Sequence, residues 1–218
     1  MSAPARTTLA GLAQALLARQ RGPRTMVGIV GAPGAGKSSF AEALKERLDR
    51  AAPGLAQILP MDGFHFDDRL LEARGHLARK GAPHTFDVDG LAVLLDRLRR
   101  DDGSEVVVPV FDRELEIARA GARAIGPEAR LILVEGNYLL LDDPAWAGLR
   151  PRFDLTVMLD VPLDVLEARL AARWRGFGYD DARLAAKLEG NDLPNARLVI
   201  ARSVAADLLV ANTVPSGD

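Results

Sequence analysis

The sequence predicts an α/β fold built on a parallel, doubly wound sheet, and three observations carry that expectation. Short apolar runs recur along the chain, at 26–30, 55–61, 106–110, 131–134, 154–160 and 207–211. Several are apolar throughout instead of alternating, the pattern of strands buried on both faces. Between them lie longer stretches with helical periodicity, and strands that alternate with helices imply parallel pairing.

Bulk properties narrow the class further. A chain of 218 residues is expected to form one domain, 1–218, able to bury a large core. Its formal net charge of -2 offers no footprint for nucleic acid or an anionic membrane. There is no cysteine, which excludes disulfides, thiolate catalysis and Cys-bound zinc. No apolar run approaches the roughly 18 residues of a membrane span, so a cytoplasmic protein is expected. Residues 1–26 hold Arg6, Arg19, Arg21 and Arg24 and no acid, the composition of a transit peptide. The stripe Leu9, Leu12, Ala13, Leu16 and Leu17 favours a leading helix over 7–22 instead. Thr7 or Thr8 would be its N-cap, and Gly22-Pro23 its stop.

The first central strand, 25–30, runs into Gly31-Ala32-Pro33-Gly34-Ala35-Gly36-Lys37-Ser38 and then a helix to about 51. The loop reads G-x-x-x-x-G-K-S, a phosphate-binding P-loop in its required strand–loop–helix setting. Backbone N–H groups of Gly31 to Ser39 would surround phosphates at a helix N-terminus. Lys37 would reach the β- and γ-phosphates, and Ser38 would ligate Mg²⁺. Only four of the 28 basic residues are lysines, and one of them falls at this position. This is a nucleotide-binding protein.

Pro53-Gly54 ends the P-loop helix, and a strand over 55–61 follows, closing in Asp62-Gly63-Phe64-His65. Ligands of open α/β sheets sit at the carboxyl ends of strands, which places Asp62 as a general base or as a turn residue before Gly63. Residues 66–86 lack a clean period and read as a short helix plus a substrate-facing loop. A helix over 88–100 is capped by Asp87 and stopped by Asp101-Asp102-Gly103. A short strand, 106–110, leads into Phe111-Asp112-Arg113, and 114–125 is expected to form a hairpin around Gly121. Leu131 to Gly136 is apolar except for Glu135, a Walker B arrangement in which the acid would bind Mg²⁺. A strand at 154–160 precedes helices at 163–175 and 180–189, within a lid region spanning 165–192. Arg169 and Arg173 share a helix face there and would clamp phosphates on closure. A strand over 207–211 completes the sheet.

A family resemblance joins these landmarks. Asp62-Gly63-Phe64, Arg74-Gly75, Lys80-Gly81-Ala82-Pro83, Phe86-Asp87 and Pro109-Val110-Phe111 resemble the acceptor side of bacterial type I pantothenate kinase. With Val134-Glu135-Gly136 they also resemble uridine kinase and phosphoribulokinase. Glu135 to Leu141 and Gly190 to Val199 are similar to a bacterial nucleoside/nucleotide kinase-like branch, the "fructose transport system kinase" group. The resemblance covers about 9–212. It implies a three-layer P-loop NTPase of strand order 2-3-1-4-5 with a helical lid, using ATP and Mg²⁺ to phosphorylate a hydroxyl.

By position, the resemblance makes Asp62 the catalytic aspartate, and Lys37 and Ser38 the phosphate and Mg²⁺ ligands. Glu135 becomes the Walker B acid, and Arg169 and Arg173 the lid arginines, with Arg173 also catalytic. Phe111 and Asp112 fall in the acceptor-binding region. Arg113, Lys80 and His65, the last by adjacency to Asp62, complete the expected substrate side. Asp112 and Arg113 suit a polyhydroxylated or acidic acceptor better than a flat base. Uridine kinases carry a base-reading histidine where this chain has Glu114, Glu116 and no histidine. Pantothenate kinases are longer, and their Tyr and His acceptor ligands are replaced here by Phe111, Asp112 and Arg113.

The expected activity is phosphoryl transfer to a small metabolite: a sugar such as fructose, a nucleoside or a pantothenate-like vitamin. Nucleic acid and membrane are not expected partners, and a homodimer is compatible with the reading. The alternative is a regulatory NTPase or switch acting on a protein partner. Against the alternative, the chain has no Asn-Lys-x-Asp guanine motif and no ABC-type signature.

Overall fold

The computed structural model of the chain describes residues 4–19 and 24–212. Six strands form one all-parallel sheet: β1 (Ala5–Arg6), β2 (Thr25–Val30), β3 (Ala56–Pro60), β6 (Leu131–Gly136), β7 (Leu155–Asp160) and β8 (Leu208–Ala211). Their spatial order is β1-β8-β7-β2-β6-β3. Counted from β2, the five strands of this sheet other than β1 lie in the expected order 2-3-1-4-5. β1 adds an edge that hydropathy could not reveal, because its two residues are exposed. It is held by pairing with β8 and by an ion pair from Arg6 to Asp160, 3.1 Å.

β2 and β6 are buried at every residue and pair from Thr25↔Leu131 through Val30↔Gly136. Their unbroken apolar character follows from having sheet neighbours at both edges and helices over the faces. The helices are α1 (Leu9–Leu17), α2 (Lys37–Asp49), α3 (Asp68–Ala73), α4 (Val88–Arg100), α5 (Leu163–Gly176), α6 (Asp181–Lys187) and α7 (Leu193–Arg202). Together with the sheet they make a three-layer α/β fold.

The leading helix is shorter than 7–22. Thr8 caps α1 by accepting from Gly11 N–H, and the helix ends at Leu17, where the apolar stripe runs out. The expected Gly22-Pro23 stop lies outside the described residues. Arg24 has a structural role: its guanidinium is buried and donates to the carbonyls of Leu98, Gly126 and Ala129.

Two other segments depart from expectation. Residues 114–125 do not form a hairpin around Gly121. Instead β4 (Val106–Asp112) pairs antiparallel with β5 (Ile117–Ile125) as a separate two-stranded sheet. The turn lies at 113–116, and the register slips between Val108 and Val110, at Pro109, which has no N–H to donate. The second departure is α7, which has Pro194 in its first turn and follows a π-helical turn, Leu188–Asp192. In and next to the segment 165–192, Leu170, Leu184, Leu188 and Leu193 form a small apolar cluster separate from the main core.

Candidate active site

A cleft of about 600 Å³ opens along the carboxyl ends of the central strands. Its floor is the P-loop between β2 and α2. Gly36 takes the N-cap position of α2 at φ +82°, and a Cβ there would come within 2.8 Å of Asn212 Nδ2. Only glycine meets both demands. Lys37 opens the helix, and its Nζ donates to Ala32 O at 3.1 Å, across the loop it would leave to meet phosphates. Burial lowers the Lys37 pKa, while the carboxylates of Glu135 and Asp62 oppose that shift.

Ser38 Oγ donates to Glu135 Oε1 at 3.2 Å. Glu135 is buried in β6, and its pKa is raised first by burial and then by the charge of Asp62. A buried carboxylate beside a hydroxyl is a hard-oxygen pair in want of positive charge. Two protein ligands suit Mg²⁺, which keeps waters and substrate phosphates in its remaining positions. The residues present therefore fit that ion.

Asp62 stands in a 3₁₀ turn, Met61–Phe64, directly after β3. Its Oδ2 receives Arg113 Nη2 at 2.8 Å, and its charge acts on both Lys37 and Glu135. Gly63 is not a left-handed turn residue. It is needed because a Cβ would sit 2.5 Å from Pro109 O, so β4 and the Asp62 turn pack backbone to backbone.

The wall expected to meet the acceptor comes from His65, the loop after α3, the end of β4 and the β4–β5 turn. The His65 ring packs between Phe86 and Phe111, with centroids at 4.1 and 4.8 Å. Its Nδ1–H donates to Asp62 O at 2.8 Å. Burial lowers the His65 pKa, so it stands as a neutral wall beside Asp62. Lys80 Nζ lies 5.1 Å from the Phe111 ring centre, donates to Glu116 O at 2.6 Å and pairs with Asp68 Oδ1 at 2.5 Å. The Arg113 guanidinium lies 6.0 Å from the same ring.

Asp112 is not brought into the cleft. It accepts the backbone N–H groups of Glu114 and Leu115 and an Arg119 N–H, which together shape the β4–β5 turn. Those bonds, Leu115 N–H first, hold its carboxyl below the usual range. The reason is strand periodicity: neighbouring side chains leave opposite faces, so Phe111 facing the cleft sends Asp112 away.

The arginines separate in the same way. Arg169 and Arg173, one helical turn apart on α5, both line the cleft. Arg169 donates to Gly34 O at 3.5 Å and Asn212 O at 2.9 Å. Burial and the Arg113 charge lower the Arg173 pKa. Arg175, two residues on, is exposed and pairs with Asp181 at 3.8 Å.

Several residues in the cleft or bracing it escape sequence reasoning. Asn212 follows β8 and, without lining the cleft, donates to Ala35 O at 2.7 Å and braces the P-loop. Its place at the carboxyl end of a strand is the signal that singled out Asp62, and it would have found Asn212 too. Glu116, Trp174, Lys187, Asn191, Asp192 and Asn195 also line the cleft. Asn191 and Asn195 lay within a segment noted for its resemblance, without a role attached.

Comparison with known proteins bears on the fold and the family. No family model matches the chain. A Schizosaccharomyces pombe protein provisionally named a uridine kinase is 30% identical over 194 residues, covering 86% of this chain and 83% of that one. Escherichia coli YggC is 36% identical over 193 residues, covering 87% and 78%. Among solved structures, a Silicibacter sp. protein provisionally named fructose transport system kinase is 47% identical with a TM-score of 0.86, covering 93% and 98%. Identity of this depth over nearly the whole chain carries more than a shared sheet. The chain belongs to the uridine kinase-like P-loop small-molecule kinases.

Proposed function

We propose that this kinase transfers the γ-phosphoryl group of ATP, with Mg²⁺, to a hydroxyl of a small metabolite, first of all a sugar such as fructose. The observation that carries the reading is the Asp62 carboxylate. It is held at the end of β3 where its charge reaches Lys37 and Glu135 and where the acceptor wall begins. The loop amides and Lys37 would hold the triphosphate, with Arg169 and Arg173 closing from α5. Ser38 and Glu135 would hold Mg²⁺, which supplies charge neutralisation on the phosphates.

Asp62 would take the acceptor's proton as the hydroxyl oxygen bonds to the γ-phosphorus and the bond to the β-phosphate oxygen breaks, releasing ADP. Arg113 pairs with Asp62 in the structure, so an acceptor must draw that guanidinium aside to reach the base. With Asp112 outside the cleft, the sugar reading rests on Phe111, Lys80, Arg113 and Glu116. An aromatic face ringed by polar groups suits the C–H face and hydroxyls of a sugar.

No helix among the described residues is long and apolar enough to cross a membrane; a cytoplasmic enzyme, with a homodimer compatible, remains part of the proposal. Measuring ATP turnover with and without a panel of sugars, nucleosides and vitamin alcohols tests the reading. Turnover stimulated by sugars is expected. Stimulation by nucleosides alone overturns the sugar assignment, and stimulation only by a protein favours a switch.

A further inference from the structure

The two walls of the cleft come from distant parts of the chain, the acceptor segment 76–86 and the lid. One buried polar cluster joins them. Asn191 and Asn195 are 4% and 2% exposed and lie a helical turn apart where the π-helical turn passes into α7. Asn195 Nδ2 donates to Asn191 Oδ1 at 3.2 Å and to Gly81 O at 3.4 Å. Asn191 Nδ2 donates to Lys80 O at 2.9 Å. Arg79 reaches back from the acceptor side, Nη1 to Gly190 O and Nη2 to Asn195 Oδ1 at 3.2 Å. The buried Tyr138 hydroxyl also donates to Gly81 O, at 2.6 Å.

Both N–H groups of Asn195 are thus spent on protein partners and its oxygen accepts from Arg79, so its bonding is turned towards the protein. Its bonds instead set the backbone from which Lys80 reaches the Phe111 face. On the other side the π-helical turn continues to Asp192, whose Oδ2 accepts from Trp174 Nε1 at 2.5 Å. Trp174 follows Arg173 on α5. Single π-helical turns cluster at functional sites because the extra residue re-aims neighbouring side chains.

We infer that Asn195 and Arg79 are positioning residues that clasp the acceptor segment to the lid, so that nucleotide closing the lid also sets the acceptor wall. The inference rests on the kinase reading above and adds to it a physical link between the two halves of the site. Coupling of this kind requires an element that both sites bias, and the π-helical turn with Asn191, continued by Asn195 in the first turn of α7, is that element.

The test is hydrogen exchange of the intact chain with and without a non-hydrolysable ATP analogue and Mg²⁺. In the natural sequence the analogue should slow exchange in 165–192 and also in 76–86, which lies on the acceptor side. In Asn195→Ala the lid should still respond while 76–86 does not. Arg79→Ala, at a half-exposed position, should behave alike and guards against a folding failure of the buried variant. A residue that only stabilised the fold would lower the melting temperature and leave the transfer of protection intact. Protection of 76–86 in both variants, or its absence in the natural sequence while the lid responds, overturns the clasp alone. No response in the lid while the P-loop, 31–39, is protected overturns the clasp and leaves the nucleotide reading standing; no protection of 31–39 overturns the nucleotide reading and the clasp with it.

Discussion

Asp62 is where one atom's chemistry can be separated from shape. Asp62→Asn keeps the size of the side chain and a hydrogen-bonding oxygen for Arg113, but removes the base. We expect kcat to fall about 10²–10⁴-fold, the usual contribution of a positioned base, with ATP affinity nearly unchanged. Unaltered kcat in a folded variant would end the assignment. His65 makes a second, separable prediction. Its pKa in the fold lies below the ordinary 6.5 because burial disfavours the charged ring. The unfolded chain therefore binds more protons than the folded one in the window just below 6.5. The stabilisation is full above that value and is lost as pH falls through the folded pKa. The melting temperature should decline on acidification from about pH 6.5. His65→Phe, which keeps a ring between Phe86 and Phe111 but cannot titrate, should flatten that decline; an unchanged slope would show that other groups cause it.

At the scale of elements, the lid stands apart. α5, α6, the π-helical turn and the start of α7 bury Leu170, Leu184, Leu188 and Leu193 among themselves, outside the main core. A cluster of four leucines holds a segment less firmly than the core holds the sheet, and low local stability is what a closing element needs. Residues 165–192 should exchange readily without ligand and become protected when an ATP analogue and an acceptor are both bound. Equal protection in both states would contradict a lid. The β4–β5 ribbon shows where reading by element stops short. Gly121 looks like a turn in the sequence, yet it lies inside β5, and the turn at 113–116 is built by Asp112 accepting two backbone N–H groups. Hydropathy carries no trace of a side chain bonded to its own turn.

For the whole molecule, ligand binding and stability are linked. At a concentration 100 times the dissociation constant, a ligand adds about 2.7 kcal/mol to folding. For a domain of this size, that corresponds to a rise in melting temperature of roughly 5–10 °C. ATP with Mg²⁺ should produce such a shift, chelation of the metal should shrink it, and Lys37→Ala should nearly abolish it. The same shift in Lys37→Ala as in the natural sequence would place the nucleotide somewhere other than the P-loop.

The features legible before any fold was known are contiguous or periodic. The P-loop is eight consecutive residues between a strand and a helix, and Glu135 is a lone acid closing an apolar strand. Arg169 and Arg173 are separated by one turn of a helix whose existence the pattern announces. Such features are legible because backbone geometry alone decides where neighbouring residues point. The sheet's order followed from the family resemblance, and pairing along β2, β6 and β7 agrees with it. Tertiary structure alone decided the acceptor side: Phe111 and Arg113 in the cleft and Asp112 out of it, Asp62 paired with Arg113, and Asn212 bracing a loop 177 residues away. It also decided the contact of Asn191 and Asn195 with Lys80 and Gly81, more than 100 residues earlier. These are single hydrogen bonds between a side chain and a remote carbonyl. They leave no period in the sequence, and they exist only once the buried strands have brought both ends of the bond to one place.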